Sequence, residues 1–266
     1  AREGSRRVPA LRPFWKHQQK MFAYTMRTKS PFLGVEMRLG KSPVTIRRCK
    51  LYKPLNPCGL RVLILGPSSS LGGWIDVLEK EKCSFKVLEG SRKKRLTSLQ
   101  KWDVEFWVSN KELFLSVPEI RDLDWDSVIA DESTFLKNPK AKITKFMLGS
   151  FRDVPSRWAL AGVPAPENIM EWWPQLAWLD GAAFGFRNFW DFRNKCFFVG
   201  STGHDYYPNP GVMDYIHKYV GERCLIMSRK DAGIKTQKEY VTRHLEMPAA
   251  TRKLYDKAES EFCLGD

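Results

Sequence analysis

Two short clusters carry residue types that could do phosphate chemistry: Gly40-Lys41-Ser42 within GVEMRLGKSPVTIR (34–47), and Asp131-Glu132 within SVIADESTFLKNPKAK (127–142). Gly-Lys-Ser is the usual ending of a phosphate-binding loop. In such a loop, backbone N–H groups at a helix N-terminus hold a β-phosphate, the lysine reaches the β/γ oxygens, and the serine hydroxyl ligates Mg²⁺. The full pattern places a glycine five positions before Gly40, where this chain has Val35, so the tripeptide needs support from elsewhere. Asp131 and Glu132 supply it. An aspartate at the end of a strand can hold Mg²⁺ through water, and a neighbouring glutamate can orient and deprotonate the attacking water. A helix cap by Asp131 or Ser133 would explain one carboxylate but not the pair. Two adjacent carboxylates on a buried strand are costly unless a cation is there to be served.

The elements that must position these clusters read as apolar runs alternating with helical stretches. SPFLGVE (30–36), RVLILGP (61–67), FWVSN (106–110), SVIADE (127–132) and RWALAGVP (157–164) are short, nearly continuous apolar segments, as strands buried on both faces are. Between them PVTIRRCKLYK (43–53), LGGWIDVLEKEK (71–82), SRKKRLTSLQKW (91–102) and KAKITKFMLGS (140–150) have helical spacing or composition. Pro43 falls in the first turn of its helix, where a missing N–H costs nothing. This alternation predicts an α/β fold, a parallel sheet covered by helices. Ligands of such sheets sit at the carboxyl ends of the strands, and both clusters fall at such ends.

Composition bounds the remaining classes. The chain has 266 residues, 43% hydrophobic and 13% aromatic, which reads as globular. Its 44 Lys+Arg against 30 Asp+Glu give a net charge of +14, the electrostatic footprint of a polyanion binder. The densest basic run, Arg92-Lys93-Lys94-Arg95, reads as a solvated loop with at most a secondary phosphate contact. No apolar run approaches the ~20 residues of a membrane span, and the first residues lack the apolar centre of a signal peptide. Six cysteines (Cys49, Cys58, Cys83, Cys196, Cys224, Cys263) stand without any C-x-x-C pair, the pattern of an intracellular protein with reduced thiols. The four histidines (His17, His204, His217, His244) have no metal-ligand spacing.

Taken in order, GKS, PSSSL, VSN, DEST-x-LKNP, LAGVP and E-x-W-x-x-L resemble the first motor lobe of superfamily-two helicases, over roughly residues 11 to 255. Within these the chain is most similar to the Swi/Snf-type DNA translocases and their smaller bacterial and phage relatives. The phosphate loop of that family typically reads D-E-M-G-L-G-K-T, and Glu36 to Ser42 match it. The aspartate used there in place of the Walker glycine is Val35 in this chain. The resemblance implies a RecA-like parallel β-sheet flanked by helices, ATP and Mg²⁺ as ligands, and double-stranded DNA as partner. It assigns catalysis to Lys41, Asp131 and Glu132, nucleotide binding to Gln18, Arg38, Gly40, Lys41 and Ser42, and the metal to Ser42 and Asp131. WKHQQKMFAY (15–24) resembles the adenine-reading Q motif. GPSSSLGGW (66–74) and WVSNKELF (107–114) resemble motifs Ia and Ib, whose Ser68, Ser69, Ser70, Ser109 and Asn110 would touch nucleic-acid phosphates. Thr134 and Gly162 fall in motifs that couple hydrolysis to strand movement.

Three departures stand out. Arg38 replaces a loop glycine, Thr134 replaces the histidine of the DEAH box, and Ala161 and Val163 replace both threonines of L-T-G-T-P. They leave open a catalytically weak lobe acting as a DNA-binding or regulatory module, and the kinship with DEAH-box proteins leaves open an RNA helicase. The expected organisation is an ATP-binding lobe over 1–240, with an aromatic-rich helical elaboration at about 181–225 and a connector over 241–266. The connector would lead to a second RecA-like lobe, in cis or trans. The expected location is inside the cell, cytoplasmic or nuclear, with no membrane partner.

Overall fold

Strands without a polar face must be covered on both sides, and the computed structural model shows how. It describes residues 12–52, 54, 57, 59–165, 167–201, 203, 205–234, 241–242 and 246–262. In chain order the elements to Ser150 are α1 (Lys16–Arg27), β1 (Phe32–Val35), α2 (Lys41–Cys49), β2 (Val62–Gly66), α3 (Leu71–Lys80), β3 (Phe85–Val87), α4 (Arg92–Gln100), β4 (Phe106–Asn110), α5 (Leu113–Ser116), β5 (Ser127–Asp131) and α6 (Lys142–Ser150). There follow β6 (Ser156–Ala161), α7 (Trp172–Asp180), α8 (Phe189–Cys196), β7 (Phe197–Val199), β8 (Tyr206–Pro208), α9 (Val212–Arg223), β9 (Cys224–Met227) and α10 (Ala249–Phe262). Seven strands form one sheet in the order β3-β4-β2-β5-β6-β1-β9, and every pairing in it is parallel. This is the RecA-like arrangement of a parallel sheet flanked by helices.

Side-chain alternation sorts the strands' residues into two core layers. Leu63 and Leu65 of β2, Val128 and Ala130 of β5, and Ala159 and Ala161 of β6 pack with Trp172, Leu176 and Trp178 of α7. Val62, Ile64, Ile129, Trp158 and Leu160 point the other way, onto Met21 of α1, Val44 and Ile46 of α2, and Trp74 and Leu78 of α3. The carboxyl ends of all these strands lie on one edge of the sheet, so the loops after β1, β2, β4, β5 and β6 are neighbours.

Several elements depart from the sequence expectation. The helix after Gly40 begins at Lys41 and ends at Cys49 instead of spanning 43–53, because Gly40 adopts φ +76° and serves as its N-cap. Lys41 and Ser42 are thereby inside the first turn, with their N–H groups at the helix mouth. The edge strands β3 and β9 were not anticipated; three and four residues long and only partly buried, they carry too little periodicity to read. The 181–225 segment is aromatic-rich as expected, yet β7 and β8 form an antiparallel hairpin between its helices. The Arg92–Arg95 run, read both as part of the helical stretch 91–102 and as a solvated loop, follows the helical reading: it is the first turn of α4, capped by Ser91. Two of its members are engaged, Arg92 in an ion pair with Glu119 and Arg95 as donor to Ser116 Oγ.

The four cysteines among the described residues, Cys49, Cys83, Cys196 and Cys224, are free and buried. Burial pushes the Cys49 and Cys224 thiols up to about 12, so they act as core side chains and not as nucleophiles. Cys58, Cys263, His204 and His244 lie outside the described residues. Among those described, no group of His, Cys, Asp or Glu could hold a metal by itself, and no helix is long and apolar enough to cross a membrane. The compact unit that carries the sheet ends at Ile234, and residues 235–266 form a second unit, a boundary six residues before the expected one. The second unit's helix α10 carries the ion pairs Arg252–Asp256 and Lys257–Glu261 at i,i+4 spacing.

Ile129 sits fully buried in β5, between β2 and β6. Ile129→Ala is expected to cost about 2–5 kcal/mol, the range for truncating a large aliphatic side chain in a core that cannot collapse around the gap. Denaturant unfolding of the two proteins measures it.

Candidate functional site

The phosphate loop is shaped by two left-handed residues. Arg38 adopts φ +66° and Gly40 φ +76°. The Gln18 amide packs so closely on Gly40 that a Cβ there would overlap Gln18 Nε2. Gln18 is held in turn by accepting the Trp15 backbone N–H at 3.0 Å. On the same helix, buried His17 donates from Nε2 to the Leu39 carbonyl at 3.1 Å. The start of the loop is tied to the sheet's far edge: Glu36 accepts the Arg229 backbone N–H at 2.8 Å and pairs with its guanidinium at 3.2 Å. The segment CLIMSRK (224–230) thus contributes an edge strand and an anchor for this loop.

Lys41 rests its ammonium on the Val35 carbonyl at 2.6 Å. Burial lowers its pKa below the usual lysine value, and the nearby Glu132 and Asp131 carboxylates pull it partly back. A phosphate entering the loop would add negative charge beside it and favour the ammonium further. Asp131 ends β5 and is 7% exposed. Its Oδ2 accepts the indole N–H of buried Trp74 at 2.8 Å. Glu132, read as the last residue of the strand, instead turns off it at φ +49°, ψ +59°. Lys41, Ser42, Ser70, Trp74, Asp131 and Glu132 all line one cavity of about 720 Å³. Next to it lies a cavity of about 350 Å³ lined by Phe14, Gln18, Arg47 and Glu81. Its wall is rigid: Arg47 forms two 2.7 Å hydrogen bonds with Glu81 and lies 4.4 Å over the Phe14 ring. Arg38 and Gly40 line both cavities.

The residues expected to touch nucleic acid do not form one class. Ser68 and Ser69 are exposed in a single 3₁₀ turn that runs into α3, whereas Ser70 is half-buried and donates to the Pro67 carbonyl. Asn110 ends β4 beside Gly66, and its Oδ1 is buried without a partner. Ser109 is a correction: it is 1% exposed and its hydroxyl donates to the Leu88 carbonyl. Strand alternation turns it inward, away from any ligand on the surface. Of the coupling pair, Thr134 reaches no farther than the Glu132 carbonyl at 3.4 Å, and Gly162 lies against Met37 of the phosphate loop. Three further residues belong with this site: His17, Trp74 and Gln175. Gln175, fully buried in α7, accepts from Ser133 Oγ and donates to the Pro164 carbonyl. The signal in the sequence was a lone amide in the apolar run WWPQLAWL.

A family model described as the SNF2-related domain matches residues 10–261. The chain belongs to the SNF2-related domain family. It is 32% identical over 138 residues to the mouse DNA excision repair protein ERCC-6-like 2, covering 51% of this chain and 9% of that protein. It is 29% identical over 181 residues to Switch 2 of Arabidopsis thaliana, covering 60% and 20%. It therefore spans a fifth or less of these relatives. Among solved structures, the Sulfolobus solfataricus SWI2/SNF2 ATPase core in complex with dsDNA superimposes with a TM-score of 0.68 at 20% identity, covering 84% of this chain and 46% of that one. The same organism's SWI2/SNF2 ATPase core domain gives 0.62 at 18% identity, covering 87% and 48%.

Arg38 stands where SNF2-like loops carry glycine, and its backbone still has the glycine conformation. A residue with a Cβ at such a position is strained. Gly40→Ala is expected to cost about 1–2 kcal/mol of stability from the left-handed backbone alone, with more from displacing Gln18. Arg38→Gly is expected to cost nothing or to stabilise, since relief of strain opposes the added freedom of the unfolded chain. Equal losses for both, in thermal unfolding, would contradict this account of the loop.

Proposed function

We infer that the chain is the first motor lobe of an ATP-dependent double-stranded DNA translocase or helicase. One observation carries this reading: Lys41, Ser42, Asp131 and Glu132, scattered over ninety residues of sequence, line a single cavity at the carboxyl edge of the sheet. The roles follow from position. Lys41 is the counter-charge for the β/γ oxygens. The first turn of α2 lacks a side-chain cap, so its N–H groups are available to phosphate. Ser42 and Asp131 would hold Mg²⁺. Two oxygen donors on one wall suit an ion that keeps water and phosphate in its remaining positions, and no cluster capable of holding a metal without a nucleotide occurs among the described residues. Glu132, next to Asp131 on the same cavity, would orient and deprotonate water. The Gln18 cavity would take the adenine.

DNA would run over Ser68, Ser69 and Asn110 on the same edge, with Ser70 shaping the turn beneath. The net charge of +14 and the dsDNA in the Sulfolobus complex support a duplex partner, bound through phosphates and thus with little sequence preference. Thr134 and Gly162 lie where hydrolysis is coupled to movement in such motors. The chain matches about half of the solved cores, and a second RecA-like lobe, in cis or trans, would supply the opposite wall of the cleft and an arginine for the transition state. Action on DNA would put the protein inside the cell.

Phosphate release by the full-length protein, with duplex DNA, duplex RNA or neither, tests the reading. DNA is expected to stimulate turnover and RNA is not. Lys41→Ala is expected to lower kcat by about 10²–10³, the loss for one preorganised charge donor, without shifting Tm. Glu132→Gln is expected to lower it by about 10²–10⁴ through lost general-base action, while ATP binding survives. Turnover unchanged in both variants, or absent from the wild type, rejects the motor. Residues 1–266 alone are expected to hydrolyse ATP negligibly, because a missing arginine is worth about 10³–10⁵ in related phosphoryl-transfer machines.

A further inference from the structure

The family resemblance leaves a gap in this chain. Ala161 and Val163, at and just after the end of β6, stand where the resemblance places two threonines that help couple hydrolysis to strand movement, and neither can hydrogen-bond to the carboxylate loop through its side chain. Val163 is 62% exposed and Ala161 is buried among apolar neighbours. The two loops are nonetheless connected. Gln175 Oε1 accepts Ser133 Oγ at 2.7 Å, and Gln175 Nε2 donates to the Pro164 carbonyl at 2.6 Å and to the Glu171 carbonyl at 3.0 Å. Ser133 follows Glu132 directly, and Pro164 closes the Gly162 turn. One buried amide therefore bonds to the segment bearing the water-activating carboxylate and to the turn that lies against the phosphate loop through Gly162 and Met37.

Burial gives this connection its force. Ser133 and Gln175 are both 0% exposed, so neither can exchange its partner for water, and a shift of one loop must move the other or break a bond that cannot be replaced. A second tie runs in parallel: Lys137, three residues past Thr134, pairs with Glu167 and Glu171 ahead of α7. That tie is exposed on the Glu167 side and screened by solvent, which leaves the amide as the stiffer link. We propose that Gln175 is the positioning residue that joins the Glu132 loop to the Gly162 turn, replacing in this chain the hydroxyls missing at Ala161 and Val163. It touches neither nucleotide nor DNA. Its role rests on the motor reading above, and it deepens that reading by naming what carries the coupling.

The test measures coupling directly, as the factor by which a duplex DNA oligonucleotide changes the affinity of the full-length protein for a nonhydrolysable ATP analogue. In the wild type this factor is expected to be about 5–150-fold, the usual range for linked sites. Gln175→Leu, which keeps the bulk and removes all three bonds, is expected to bring it to within about 2-fold of one while each ligand measured alone binds as before. A purely structural role would instead lower the unfolding midpoint and both separate affinities and leave the factor intact. Should Gln175→Leu fail to fold, Ser133→Ala breaks only the bond to the carboxylate loop and is expected to lose the same coupling. In a cycle, the double variant should lose no more than either single one. Folded variants that keep the wild-type factor overturn the proposal. A wild type that binds both ligands with no mutual effect, or binds no DNA, overturns the motor reading and this proposal with it.

Discussion

A carboxylate at the buried end of an apolar strand is the constraint around which the site is arranged. Asp131 sits at 7% exposure, and a carboxyl group buried that deep is costly unless its oxygens find partners. The compensation comes from three directions. The indole N–H of Trp74 bonds to Oδ2, which fixes where α3 must cross the sheet. Lys41 supplies opposite charge from the first turn of α2, which fixes how the loop after β1 must close. Gly66, on the neighbouring strand, has no Cβ where one would press on Asp131 and Ser70. The serine turn leading into α3, the phosphate loop and the carboxylate loop are therefore mutually positioned by the requirements of one side chain.

How far the sequence exposed this depends on the kind of interaction. Strands buried on both faces announce themselves as unbroken apolar runs; FWVSN appears at its read position, and SVIADE does so up to Asp131, one residue short of its read end. The phosphate loop and the acidic pair were legible because their chemistry permits few substitutes. Trp74 and Gln175 were not. A tryptophan in a helix reads as core, and its core role is real; that its N–H also serves Asp131 depends on the crossing of α3 over β2, which no local pattern encodes. Ser109 failed in the opposite direction. Family position suggested a surface contact, yet in a strand each successive residue changes face, and the face of Ser109 belongs to Leu88.

Of the five non-glycine residues with left-handed backbone among the described residues, Lys82, Trp102 and Phe184 lie away from the site and two lie in it. Arg38 and Glu132 adopt left-handed angles without being glycine, and both line the 720 Å³ cavity. Strain of this kind persists where surrounding structure over-determines it. For Arg38 that structure is His17 bonded to Leu39 on one side and Glu36 locked to Arg229 on the other. For Glu132 it is Asp131 before it and Ser133 after it, each fixed by a buried hydrogen bond. The same bonds that impose the strain also set the direction of the side chain.

The departures from the family pattern sort by what surrounds them. Lys41, Ser42, Asp131 and Glu132, which together line the 720 Å³ cavity, are kept. The changes fall on side chains whose task can be done from elsewhere. Thr134 occupies the histidine position but bonds only to the next residue but one, so the histidine's reach is not reproduced there. Ala161 and Val163 offer no side-chain hydrogen bond, yet the loops on either side are joined by an amide on α7. A buried polar group left without a partner is costly, and through Gln175 both Ser133 and the Pro164 carbonyl have one. The geometry of the site thus depends less on which residue type fills a motif position than on whether every polar atom behind the carboxylates remains paired.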